Sequence, residues 1–166
     1  MRLVHYSAKP IVSVHSVSHR KGAGRRGDGD VSDKPAGFWV SDDDAEMNWR
    51  EWCLGENFHL EALRYKQEVI LSPHAKMLYL NSAADLDSFT REYGASPYSG
   101  WERRYINWRP IVRDYQGIVI TPYIWERRLS NDVPWYYGWD CASGVIWDAR
   151  AVESLLIDQP GAELAA

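Results

Sequence analysis

Short runs of alternating apolar and polar residues, broken by glycine and proline, set the rhythm of this chain. Residues 2–6 alternate and predict a first strand, and residues 11–18 (Ile-Val-Ser-Val-His-Ser-Val-Ser) predict a second short strand or an extended edge. From Arg20 to Asp30 glycines and mixed charges leave nothing to bury, so 20–34 is expected to be a mobile loop. Residues 37–41 predict the next strand. Asp42, Asp43 and Asp44 offer N-caps for a helix over 45–54, with Trp49, Trp52 and Cys53 on one side and Gly55 at its end. Strands follow over 65–71, closed by Pro73, and over 76–80. Ser82 is expected to cap a helix over 83–93, with Asp85 as its capping-box partner, a stripe of Leu86, Phe89 and Tyr93, and a stop at Gly94. A loop over 95–103 leads to a short helix over 107–115 with Pro110 in its first turn. A buried strand over 117–121, an aromatic loop over 123–138, a strand over 143–147 and a short helix over 148–157 complete the pattern.

Strands and helices do not alternate regularly in this order. That argues against a doubly wound parallel sheet and for an α+β domain with a mixed, largely antiparallel sheet. At 166 residues the chain is expected to form one domain over 1–158, with a flexible tail over 159–166.

Composition changes this picture in one respect. Nine Trp and ten Tyr exceed what a core alone uses, and many flank polar residues, so rings are expected to line a pocket or surface as well. The net charge of −4 argues against general nucleic-acid binding through phosphates. Cys53 and Cys141 lie far apart with no nearby ligand partners, so they read as free thiols, with no disulfide framework and no metal site. No apolar run is long enough to span a membrane, and a cytoplasmic location is expected.

The chemistry-bearing residues sit at predicted strand ends. His5 and Ser7 share a strand face, and Trp39 and Ser41 occupy the next strand. Such a pair of strands suits a cleft for a ribose and a flat ring, although Trp39 and Trp52 also fit a core and Ser41 a surface position. The run Tyr136-Tyr137-Gly138-Trp139-Asp140 reads as a pocket wall or partner surface, and Asp140 as a solvated or a catalytic acid. Arg103-Arg104 and Arg127-Arg128 suit either solvated faces or a pyrophosphate. No phosphate-binding loop, His-Glu-x-x-His or Gly-x-Ser-x-Gly motif is present.

Taken in order, these segments resemble the ADP-ribosyltransferase fold of compact bacterial and phage toxin-like members. His5-Tyr6-Ser7 stands where that family has His-Gly-Ser or His-Gly-Thr, and Gly37-Phe38-Trp39-Val40-Ser41 is similar to its Gly-Ile-Tyr-Phe-Ala/Ser strand. Trp52-Cys53 resembles the end of the following helix. Tyr115-Gln116-Gly117-Ile118 is like Tyr-Asp-Gly-Ile, and Ser143 to Val152 is like the closing strand. The resemblance implies a split mixed sheet with short helices. It implies an NAD-dependent mono-ADP-ribosyltransferase or related NAD-consuming enzyme, an effector acting on a macromolecular acceptor. It further implies that Tyr6, Ser7, Gly37, Trp39, Ser41 and Trp52 bind NAD as substrate, and that His5 anchors the ribose. Two departures stand out: Tyr6 replaces the family's glycine, and Ser143 replaces its catalytic Glu. A Ser cannot supply the negative charge beside a developing oxocarbenium; Asp140, Glu102 and Glu126 are the substitutes in sequence. A degenerate domain of this fold that binds a nucleotide or protein is the alternative. An unrelated aromatic-rich module for carbohydrate or single-stranded RNA is another.

Overall fold

The computed structural model describes residues 1–18, 31–96 and 105–157. Its centre is a seven-stranded sheet. The middle strands are β1 (Leu3–Ser7) and β3 (Phe38–Asp42). Outside β1 lie β4 (Tyr65–Leu71) and then β10 (Val152–Ile157); outside β3 lie β9 (Ser143–Ile146), β8 (Gly117–Ile120) and β5 (Met77–Leu80). Neighbours are antiparallel except β5 and β8, which run parallel, so the fold is α+β with a mixed sheet. A small second sheet joins β2 (Val31–Ser32), β7 (Tyr105–Asn107) and β6 (Gly94–Ala95).

The helices start where side chains satisfy their free N–H groups. In α1 (Trp49–Glu56) the cap is Asn48, whose Oδ1 accepts from the Glu51 N–H at 3.0 Å. The helix ends at Asn57 in the left-handed region (φ 52°), with Gly55 inside it. Asp42 to Asp44 are therefore not its caps. Asp42 instead accepts from the backbone N–H of Arg2 and Asp44 and from the Thr121 hydroxyl at 2.7 Å, tying three segments together. In α2 (Ala83–Tyr93) the predicted capping box is present: Ser82 Oγ accepts from Asp85 N–H, and Asp85 Oδ2 from Ser82 Oγ–H. A third helix, α3 (Trp108–Asp114), is capped by Asn107. None of the described helices is long and apolar enough to cross a membrane.

The segment 148–157, expected as a helix, forms a single 3-10 turn over Ala149–Ala151 and then the edge strand β10. Periodicity cannot separate helix from strand in so short an apolar run. What decides it is the free edge of β4, whose backbone groups β10 pairs from Val152↔Leu71 to Ile157↔Gln67. Likewise Val31 and Ser32, expected in the mobile loop, pair with β7. The rest of that loop through Asp30, and the tail from 159, lie outside the described residues. Residues 11–18 form no strand; Gln67, 1 % exposed, holds this extended segment by bonding both the N–H and the carbonyl of Ile11.

Alternation along the strands divides the apolar side chains between the two faces. Ile118, Ile120 and Val145 pack under α2 and α3 in a cluster containing Trp108, Trp135 and Trp139. Leu3, Val40, Val69, Val119 and Ile146 pack on the other face. Val4 and Tyr6 pack with Cys53 and Leu63. Beneath Tyr6, Asp43 collects the Tyr6 hydroxyl (2.9 Å), the Lys66 ammonium (2.6 Å) and the Arg2 guanidinium. Burial pushes the Asp43 carboxyl up, but these donors outweigh it and hold it below its ordinary 3.8. A lowered folded value stabilises the fold above the unfolded pKa and loses that contribution as pH falls through the folded pKa. Urea midpoints should therefore drop as pH is taken from about 5 to about 2, and Asp43→Asn should flatten that drop. An equal drop in the variant would assign the acid sensitivity elsewhere.

Candidate functional site

β1 and β3 are hydrogen-bonded at only two register pairs, Leu3↔Asp42 and Val4↔Ser41. On their other sides, β1 matches β4 at four positions and β3 matches β9 at four. Beyond Val4 the two middle strands separate, and a cavity of about 420 Å³ opens between them. Its walls include His5 and Tyr6 of β1, Trp39 and Ser41 of β3, and Asp140 and Ser143 at the entry to β9.

His5 reaches this cavity by an unexpected route. Its cross-strand partner is Gln67, so by register it starts on the face opposite Trp39, Ser41 and Ser143. The ring lies against Phe38 (4.4 Å between centroids), and Nδ1 meets the Trp39 carbonyl at 2.8 Å, in the gap that β1 leaves as it departs from β3. A carbonyl only accepts, so Nδ1 carries the proton and the neutral ring keeps Nε2 as an acceptor. Burial lowers the His5 pKa from its ordinary 6.5 against the opposing pull of that carbonyl, which keeps the ring neutral at pH 7.

The opposite wall is aromatic and charged. Trp39 and Trp139 meet at 5.2 Å, tilted by 57°, and Trp49 adds a third ring, backed by Trp52 stacked at 5.1 Å. The Lys34 ammonium sits 5.4 Å from the Trp39 ring centre. Asp140 lies 3.8 Å from both Lys34 Nζ and the Arg128 guanidinium, too far for a hydrogen bond to either.

Several expected ligand groups are engaged within the protein. Ser41 Oγ donates to the Ala142 carbonyl (3.0 Å) and accepts from the Trp49 N–H (2.8 Å), pinning α1 to the sheet. Ser143 Oγ donates to the Cys141 carbonyl (3.0 Å). Tyr6 turns its hydroxyl to Asp43. Burial pushes the Cys141 thiol up to about 12 and Cys53 to about 11, so neither is a thiolate near neutrality.

Three expected cofactor residues do not line the cavity. Ser7 bonds the Lys9 carbonyl at the exposed end of β1. Trp52 supports Trp49 from behind. Gly37 packs against β9 so closely that a Cβ would fall 2.4 Å from Val145 Cγ1 and 2.7 Å from the Ile146 carbonyl. Its glycine is thus explained by strand packing. Arg127 is committed to a two-point bond with Asp87 (2.7 and 2.6 Å), and Glu126 is exposed in a separate 3-10 turn. Arg103, Arg104 and Glu102 lie outside the described residues. Sequence reasoning missed Lys34, Trp49 and His59 as cavity residues. Nothing local marks Lys34; it is placed by the Trp108 and Trp139 indole N–H groups, which bond the Ser32 and Asp33 carbonyls.

Comparison of the chain with protein-family models, with curated proteins and with solved structures finds no match.

Proposed function

We propose that this chain is an NAD-consuming enzyme of the ADP-ribosyltransferase type, a mono-ADP-ribosyltransferase or a related activity, with a macromolecular acceptor. The observation that carries this reading is the meeting of His5, Trp39, Asp140 and Ser143 in one ring-lined cavity at the parting of the two middle strands. In this reading, His5 Nε2 accepts a hydroxyl of the nicotinamide ribose, and the nicotinamide ring lies against the Trp39–Trp139 wall. The C1′–N1 bond breaks with its electron pair passing to the pyridine nitrogen, so nicotinamide leaves neutral. Positive charge develops on the ribose, and the Asp140 carboxylate supplies the anion that Ser143 cannot. The acceptor nucleophile then bonds to C1′ and its proton passes to solvent water. The parting of β1 from β3 beyond Val4 supports this reading.

A second reading, a binder that does not turn NAD over, is favoured by one observation. Ser143 is buried and bonded to Cys141, with no carboxylate at its own position. Two measurements separate the readings. NAD should raise the melting temperature, and free nicotinamide should accumulate on chromatographic assay. Stabilisation without release makes the protein a binder. Neither effect would overturn the NAD reading and leave an aromatic-walled site for carbohydrate or single-stranded RNA.

A further inference from the structure

The pair Lys34 and Asp140 is the strongest feature of the cavity that the preceding chemistry does not fully use. Lys34 Nζ makes no hydrogen bond among the described residues. Its ammonium is 5.4 Å from the Trp39 ring centre and 3.8 Å from Asp140 Oδ2. An ammonium has three donors, and none of them is used in a hydrogen bond within the described residues. The side chain is nevertheless built in. A Cβ at residue 138 would stand 3.2 Å from Lys34 Cε and 3.3 Å from Asp33 Oδ2, so Gly138 leaves room for this stem to lie across it. The Trp139 indole N–H reaches the Asp33 carbonyl at 3.4 Å and fixes the backbone beside it.

Around this point Lys34 and Arg128 face Asp140, the Asp33 carboxylate lies beside the Lys34 stem, His5 is neutral, and the Tyr6 and Cys141 groups are protonated. A neutral sugar or nucleoside leaves that ammonium with only its long pair to Asp140. A phosphate oxygen satisfies it with charge-assisted bonds.

We infer that Lys34 is an anion anchor that restricts this cavity to phosphate-bearing nucleotides. The inference rests on the reading of this cavity as the ligand site, and it adds the group that selects the ligand.

Calorimetric titration of the wild type, Lys34→Gln and Lys34→Arg with NAD, ADP-ribose and nicotinamide riboside tests it. Lys34 is partly exposed, and its long pair with Asp140 adds little to folding, so the variants fold. Lys34→Gln should weaken NAD and ADP-ribose at least about tenfold and nicotinamide riboside less than about twofold, and Lys34→Arg should retain most of the affinity. Raising salt should weaken only the phosphorylated ligands. Equal weakening of all three ligands would reduce Lys34 to a structural partner of Asp140 and overturn the inference. So would unchanged binding of the phosphorylated pair, with the NAD reading left standing. Lys34-dependent binding of ADP-ribose without any binding of NAD would uphold the anchor and reject the NAD reading. Binding of none of the three by the wild type would overturn both.

Discussion

His5→Ala is expected to lower nicotinamide release from NAD at least about 100-fold, the usual cost of removing one positioned polar group from a reaction centre. The fold should survive. The side chain is half-buried and, among the described residues, makes one hydrogen bond, to the Trp39 carbonyl. Its melting temperature should therefore move by only a few degrees. The neutral ring also sets a pH dependence. Protonation converts Nε2 from an acceptor into a donor, and burial holds that protonation below the ordinary 6.5. Release should accordingly fall as pH drops through this lowered value and level off on the neutral side. Asp140→Asn should cost a comparable factor by removing the anion beside the ribose. Undiminished release in both variants would sink the proposed chemistry.

Trp135→Ala should produce the largest loss of stability, about 3–5 kcal/mol. Trp135 is fully buried among Phe89, Trp108, Tyr136 and Trp139, with ring centroids 5.4 to 6.3 Å away. Its indole N–H donates to Thr90 Oγ1 at 2.7 Å, so truncation leaves both a cavity and an unpartnered hydroxyl acceptor. A loss of that size is a large share of a domain's usual 5–15 kcal/mol, and corresponds to roughly 10 °C in melting temperature. The site should suffer with the fold, because Trp139 rests on Trp135 and Trp39 on Trp139. Trp135→Phe keeps a ring in place and should recover most of the loss. A Trp135→Ala protein with unchanged urea midpoint would show that the cluster repacks.

Elements with strong local signals were legible in the chain. The capping box at Ser82 and Asp85 marks α2, and the apolar run Gly117 to Ile120 marks a buried strand. Where signals were local but ambiguous, the contacts decided. Asp42 to Asp44 looked like helix caps, yet their carboxylates are drawn to Thr121, Arg2, Lys66 and the N-terminal amine, and Asn48 takes the cap. Residues 152–157 could wind or extend, and the open edge of β4 settles the matter.

The candidate site divides the same way. Residue type and position along the chain pointed to His5, Trp39 and Asp140, and the family resemblance pointed to Ser143. The sequence by itself determined the α+β class, the main strands and helices, and the excess of rings over what a core consumes. Only the tertiary structure decided the order of strands, the parting of β1 from β3, and the entry of His5 through that gap from the opposite face. It alone brought Lys34 under Trp39 and beside Asp140. Those outcomes depend on backbone hydrogen bonds and indole donors between segments distant in sequence, and no local pattern of apolar and polar residues encodes which distant partner satisfies them.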